Sequence, residues 1–158
     1  MDILCRRPVV AELDDFLSDF YAHVGFSRCY RKTKDFLLAL NGDDSWLDQA
    51  LLRVGQMPRF YAHGDLSIRN MSSAGYVFDW DNSGYFPPGF DLALVLLGSR
   101  LSGHDSIAGA AASYYSLVER RCSFEDFHFS LLFLYAVLKG GRDRVAKTAL
   151  LNQLKSLL

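Results

Sequence analysis

The sequence predicts an α+β domain that is mostly α-helical, with a short β-hairpin carrying its polar motifs. Three observations predict it. Apolar residues recur at helical spacing in both flanks, the period changes between Arg59 and Trp80, and 50% of the residues are apolar, enough to bury a sizeable core. With no repeat, low-complexity tract or linker, residues 1–158 read as a single domain: a helical segment at 1–58, polar loops at 59–82 and a helical bundle at 83–158.

Residues 8 to 23, PVVAELDDFLSDFYAH, space Val9, Leu13, Phe16, Leu17 and Phe20 as one helical face, with Pro8 suited to a first turn. A second helix is predicted over Lys34 to Leu40, ended by Asn41-Gly42. A third runs from Ser45 to Val54, with Asp43, Asp44 and Ser45 offering an N-cap. Pro58 breaks the pattern. From Arg59 to Trp80 short segments, FYAH, NM and YVFDW, alternate as strands do, and Ser72-Ser73-Ala74-Gly75 reads as a hairpin turn. After the Gly/Pro-rich loop NSGYFPPG, helices are predicted at 90–101, 105–121, 124–138 and 142–157.

Composition narrows the function. A net charge of -1 argues against a polyanion-binding surface, so no nucleic-acid partner is expected. Cys5, Cys29 and Cys122 are odd in number and widely spaced, which suggests neither a disulfide framework nor a zinc knuckle. The N-terminus lacks a signal-peptide core, and the longest apolar run, FSLLFLYAVL at 129–138, is too short to span a bilayer. A cytoplasmic protein with no membrane span is expected. The chain has no G-x-G-x-x-G, no G-x-x-x-x-G-K-[ST], no H-E-x-x-H and no G-x-S-x-G. His23, His104 and His128 carry no metal-ligand spacing.

The chemistry is concentrated in HGDLSIRN, residues 63–70, and FDWDN, residues 78–82. Phosphoryl transfer needs a carboxylate near the attacking hydroxyl and oxygen ligands that hold Mg²⁺ against nucleotide phosphates. Asp65 and Asn70, five residues apart in one loop, can face a common cleft, and Asp79 at the end of the next strand can sit opposite Asn70. Asp81 either joins such a metal site or caps the following turn with Asn82.

These segments resemble the aminoglycoside phosphotransferase and choline kinase-like family, whose catalytic lobe has the eukaryotic protein kinase fold. The family's H-G-D-x-x-x-x-N matches His63, Gly64, Asp65 and Asn70; its I-D-W/F matches Phe78, Asp79 and Trp80; its G-x-x-x-P-x-x-D-L-A matches Gly84 through Ala93. The resemblance covers about thirty residues, in the family's order and spacing, and it implies a kinase-like C-terminal lobe. It further implies transfer of the ATP γ-phosphate to a hydroxyl on a small molecule, with Asp65 as catalytic base and Asn70 and Asp79 as Mg²⁺ ligands. Asp91 is similar to the family's structural Asp that braces the catalytic loop. His63 and Arg69 fall on the nucleotide side of the site, His63 by hydrogen-bonding the loop backbone rather than as a base.

The chain departs from the pattern in two places. Arg69 stands where the family often has Gly before the metal-binding Asn, and either contacts phosphate bidentately or pairs with Asp79 or Asp81. The 62 residues before His63 read as helices, so the β-rich N-terminal lobe, its nucleotide-covering loop and its strand lysine are not expected; Lys32 and Lys34 are the only lysines there and lack that context. A kinase needing a partner chain, a non-catalytic binding module, and a phosphate hydrolase using Asp65, Asp79 and Asp81 are the three readings this leaves. A missing lobe would bare apolar surface, so a protein partner or self-association is expected. Asp105, Glu119, Glu125 and Asp126 are candidates for binding a cationic acceptor, or are solvated helix charges. The aromatic helix around Phe124, Phe127, Phe129, Phe133 and Tyr135 reads as core or as a substrate groove.

Overall fold

The computed structural model describes residues 24–98 and 104–158. They form six α-helices and one two-stranded antiparallel sheet, a mostly helical α+β arrangement. The helices are α1 (Val24–Asn41), α2 (Ser45–Gly55), α3 (Phe90–Gly98), α4 (His104–Tyr114), α5 (Phe124–Leu138) and α6 (Arg144–Ser156); β1 (Phe60–Ala62) pairs with β2 (Gly84–Phe86).

Helix α5 is the axis of the fold. Its residues from Phe129 to Val137 are all buried, so it is apolar on every side and needs neighbours all round. Helices α1, α2, α3, α4 and α6 supply them. Ser123 opens α5 by accepting a hydrogen bond from the Asp126 N–H at 3.1 Å. Just before α2, Asp43 Oδ1 accepts from both the N–H and hydroxyl of Ser45, the first helical residue, at 3.1 and 2.7 Å. The Ser45 hydroxyl, more than the nearby Lys155, holds that carboxyl below its ordinary range. Arg53 ties α2 to α5 by lying 4.0 Å over the Phe129 ring and pairing with Asp126 at 3.1 Å.

The polar segment hangs from this bundle by short contacts. Ser130 of α5 donates to the Pro88 carbonyl at 2.8 Å, and the Phe86 and Phe90 rings stack 4.3 Å apart. Gly89, at φ +88°, lies so close to Phe127 and Leu131 that a Cβ there would sit 3.3 Å from each. Together these fix β2 and the start of α3 on the core.

Several elements differ from the sequence expectation. The segment at 8–23 lies outside the described residues. Helix α1 begins ten residues before Lys34, because Phe26, Tyr30, Thr33 and Leu37 form one buried face that crosses the RCYRKTK run. The expected hairpin around Ser72-Ser73-Ala74-Gly75 keeps its turn, with the Gly75 N–H on Ser72 O at 3.0 Å, but its strands shrink to one bridge, Met71 to Val77. Asp79, left-handed at φ 61°, ends the extended run and opens a 3-10 turn at Trp80–Asn82. Strand pairing passes instead to Phe60–Ala62 and Gly84–Phe86, the latter inside the stretch read as a loop. The helix predicted at 105–121 stops at Tyr114 and tightens into a 3-10 turn, Tyr115–Leu117. Helix α3 is described to Gly98, and residues 99–101 of its predicted span lie outside the described residues.

Candidate active site

The loop that leaves β1 is organised by Asp91, in the first turn of α3. One carboxylate oxygen accepts from the His63 N–H at 2.8 Å and the other from the Gly64 N–H at 3.0 Å. Such charge-assisted pairs are among the stronger hydrogen bonds in proteins.

His63 is buried, with 2% of its surface exposed. Its Nδ1 accepts from the Asp65 N–H at 3.2 Å, so Nε2 carries the proton and donates to the Phe78 carbonyl at 2.6 Å. The ring packs on Trp80, centroids 4.8 Å apart, and the Trp80 indole N–H donates to Val77 O at 3.0 Å. His63 therefore fastens the 63–70 loop to the 78–82 segment, and with both nitrogens engaged it is no free base.

Gly64 makes the second fastening. It is at φ +82°, and a Cβ there would lie 2.1 Å from the Asn82 carbonyl oxygen. Only glycine admits both that backbone conformation and that approach.

The residues that follow face outward. Asp65 is exposed, and no described residue bonds its carboxylate; Asn70 Nδ2 donates to the Asp65 backbone carbonyl at 2.8 Å, which leaves Asn70 Oδ1 as an available acceptor. The Phe78 N–H donates to the Asn70 carbonyl at 2.9 Å, so the residue before Asp79 is tied to the backbone of Asn70. Asp79 and Asp81 are exposed and unpaired among the described residues, as is Arg69, so Arg69 forms no ion pair with either. Asp79 is the one described non-glycine residue with positive φ. Such backbone strain clusters at functional sites.

Two oxygen donors, Asn70 Oδ1 and the Asp79 carboxylate, suit Mg²⁺, which commonly takes one or two protein ligands and fills its octahedron with phosphate and water. Among the described residues no group of three or more His, Cys, Asp or Glu could hold a metal ion, so Asp65, Asp79 and Asp81 do not form a carboxylate cage.

The other candidates lie elsewhere. Lys34 is held by Asp44 and Asp48 at 3.3 and 2.9 Å, and Lys32 is exposed on α1. Asp126 is engaged by Arg53, and Glu119 and Glu125 are exposed. His23 and Cys5 lie outside the described residues; Cys29 and Cys122 are free thiols, and burial pushes the Cys122 thiol up to about 11. The aromatic side chains of α5 are core, apart from the exposed Phe124. An open groove lined by Leu40, Val145 and Ala149 contains none of the site residues. What the sequence reading missed is the aromatic surround: Tyr61, Phe78, Trp80 and Tyr85 are all exposed around the loops. Their alternation with polar residues was visible, but not that they face solvent.

No family model, no curated protein and no solved structure matches the chain. No helix among the described residues is long and apolar enough to cross a membrane.

Proposed function

We propose that the chain is a phosphotransferase similar to the aminoglycoside phosphotransferase and choline kinase-like family, with a protein kinase-like C-terminal lobe. It would transfer the γ-phosphate of ATP to a hydroxyl of a small molecule, with a partner closing over the nucleotide. One observation carries the reading: the Asp91 brace and the His63 clamp rigidify the loop, yet the carboxylates of Asp65 and Asp79 and the amide oxygen of Asn70 are bonded by no described residue. Polar groups held this firmly and left open suit a ligand with complementary charge.

In this reading Asp65 accepts the proton of the attacking hydroxyl and orients its oxygen. Asn70 and Asp79 would hold Mg²⁺, which supplies charge neutralisation on the phosphates. Arg69, exposed, adjacent to Asn70 in sequence and unpaired among the described residues, would contact a phosphate oxygen bidentately. His63 keeps the two loops in register. Positioning and charge stabilisation are most of what this chemistry asks of a protein.

The test is calorimetric and kinetic. Mg²⁺ with ATP is expected to raise the melting temperature of the native chain, and Asp79→Ala to remove the rise. ADP release that depends on an added hydroxyl compound and vanishes in Asp65→Asn identifies transfer; acceptor-independent release identifies hydrolysis. A second reading, a non-catalytic binding module, is favoured by the exposed Tyr61, Phe78, Trp80 and Tyr85. A native chain with no Mg²⁺/ATP shift selects it.

A further inference from the structure

Along the two loops and the helix that follows, carboxylates outnumber basic residues. Between Phe60 and Gly98 the chain has four carboxylates, Asp65, Asp79, Asp81 and Asp91, and one basic residue, Arg69. Asp91 is spent on the loop backbone, which leaves three exposed carboxylates against one guanidinium. Nucleotide phosphates in such a setting require cations beyond Arg69 and a metal ion.

The face around the site is also apolar. Tyr61 and Tyr85, opposite each other on β1 and β2, meet edge to face at 5.5 Å and are 61% and 67% exposed. The Tyr61 hydroxyl is 2.8 Å from Ser83 Oγ, and the Ser83 N–H donates to Trp80 O at 2.9 Å, which ties the tyrosine pair to the 80–83 turn. Trp80 and Phe78 are themselves 49% and 54% exposed. Exposed aromatic patches of this kind mark interfaces.

The same chain carries the complementary charge. On α1, Phe26, Tyr30, Thr33 and Leu37 face the core, and Arg28, Arg31 and Lys32 project from the opposite side, exposed and unpaired among the described residues. In a chain with net charge -1, the three cations of α1, which outnumber the exposed Asp35 beside them, are complementary in sign to the acidic aromatic face.

We propose that the acidic aromatic face of one copy receives the α1 basic face of a second copy, which thereby supplies in trans cations that add to Arg69 at the phosphate site. The inference rests on the phosphotransferase reading, since it assigns Arg28, Arg31 and Lys32 to the phosphates of a nucleotide bound at Asn70 and Asp79. Three residues at positions i, i+3 and i+4 lie on one helical stripe and approach a surface together. The aromatic rings supply the apolar contact, and the charges set the register.

The experiment uses the full chain, Mg²⁺ and trinitrophenyl-ATP, with sedimentation and fluorescence as readouts. The native chain is expected to self-associate, more weakly as salt rises, and to bind the nucleotide more tightly at concentrations where it is associated. Replacing all three cations, Arg28→Glu, Arg31→Glu and Lys32→Glu, is expected to give a monomer whose nucleotide binding is at least tenfold weaker. The milder Arg28→Gln, Arg31→Gln, Lys32→Gln set serves if the reversed chain fails to fold, and is expected to show the same loss in smaller degree. Mixing the charge-reversed chain with Asp79→Asn, each expected to bind weakly alone, is expected to restore native-like binding at roughly a quarter of the sites, those pairing an intact face with an intact helix. Native-like binding by the neutralised chain, or binding independent of concentration, overturns the trans arrangement and leaves the phosphotransferase reading standing. No nucleotide binding by the native chain at any concentration overturns both.

Discussion

The two oxygens of the Asp91 carboxylate are shared between successive backbone N–H groups, that of His63 at 2.8 Å and that of Gly64 at 3.0 Å. One side chain on α3 thus fixes the two residues that immediately precede Asp65. Removing it should act on the fold and the site together.

Asp91→Ala leaves two partly buried N–H groups without an acceptor, and is expected to lower stability by about 2–4 kcal/mol. Asp91→Asn keeps one acceptor oxygen and is expected to lose about half as much. Urea midpoints at constant m-value separate the two.

Gly64 and Gly75 share nearly the same backbone angle, φ +82° and +83°, but differ in surroundings. A Cβ on Gly64 meets the Asn82 carbonyl at 2.1 Å, whereas one on Gly75 meets nothing within 4 Å. Gly75→Ala is expected to cost only the left-handed penalty, about 1–2 kcal/mol. Gly64→Ala adds a backbone clash and is expected to exceed it by at least about 1 kcal/mol, with loss of any Mg²⁺/ATP shift. Equal losses in the two variants would show that the contact with Asn82 is not tight.

How much of this was readable in advance follows from where each contact's information lies. Helix α5 was legible over Phe124–Leu138, because Ser123 caps an unbroken apolar run. That His63, Asp65, Asn70 and Asp79 share one stretch of chain was readable from their closeness in sequence, whereas the roles assigned to them and to Asp91 came from the family resemblance and not from spacing. The pairing of Tyr61 with Tyr85 was not, since each strand is three residues long and nothing local links them. The approach of Gly64 to Asn82, and the packing of Trp80 on His63, exist only once both loops are in place. Nor does any spacing in α6 reveal that Lys147 points into the core, where Thr33 Oγ1 and the Lys139 carbonyl accept from it at 2.9 and 2.7 Å.

That lysine makes stability depend on pH. Burial, with repulsion from Lys139 adding to it, lowers its pKa to about 8 from the ordinary 10.5, against the attraction of Cys29. Between these values the unfolded chain binds more protons than the folded one, so Lys147 adds stability as pH rises from about 8 to 10.5 and withdraws it as pH falls back. Cys122 works in the opposite sense: its thiol, raised from 9.0 to about 11, loses stability as pH climbs through that window. Melting temperatures of native, Lys147→Met and Cys122→Ala chains between pH 7 and 10.5 separate the two. The difference between native and Lys147→Met is expected to shift in favour of the native chain as pH rises, and a pH-independent difference would refute the buried-ammonium account.

Asp79 should show opposed effects on stability and on function. At φ 61° and ψ 64° it occupies the left-handed region that an aspartate tolerates better than most side chains but a glycine enters freely. Its carboxylate makes no bond with any described residue, so stability gains nothing from it. Asp79→Gly is therefore expected to be neutral or stabilising by up to about 1 kcal/mol, and Asp79→Ala to destabilise by about 1 kcal/mol. Both are expected to abolish the Mg²⁺/ATP thermal shift, because both remove the same oxygen donor. A side chain kept for packing would give the reverse pattern: losses in stability for both variants, and a nucleotide response that survives once each is corrected for its own melting temperature. Scanning calorimetry of the three chains with and without Mg²⁺/ATP reads both quantities in one experiment, and retention of the shift in Asp79→Gly would remove Asp79 from the metal site.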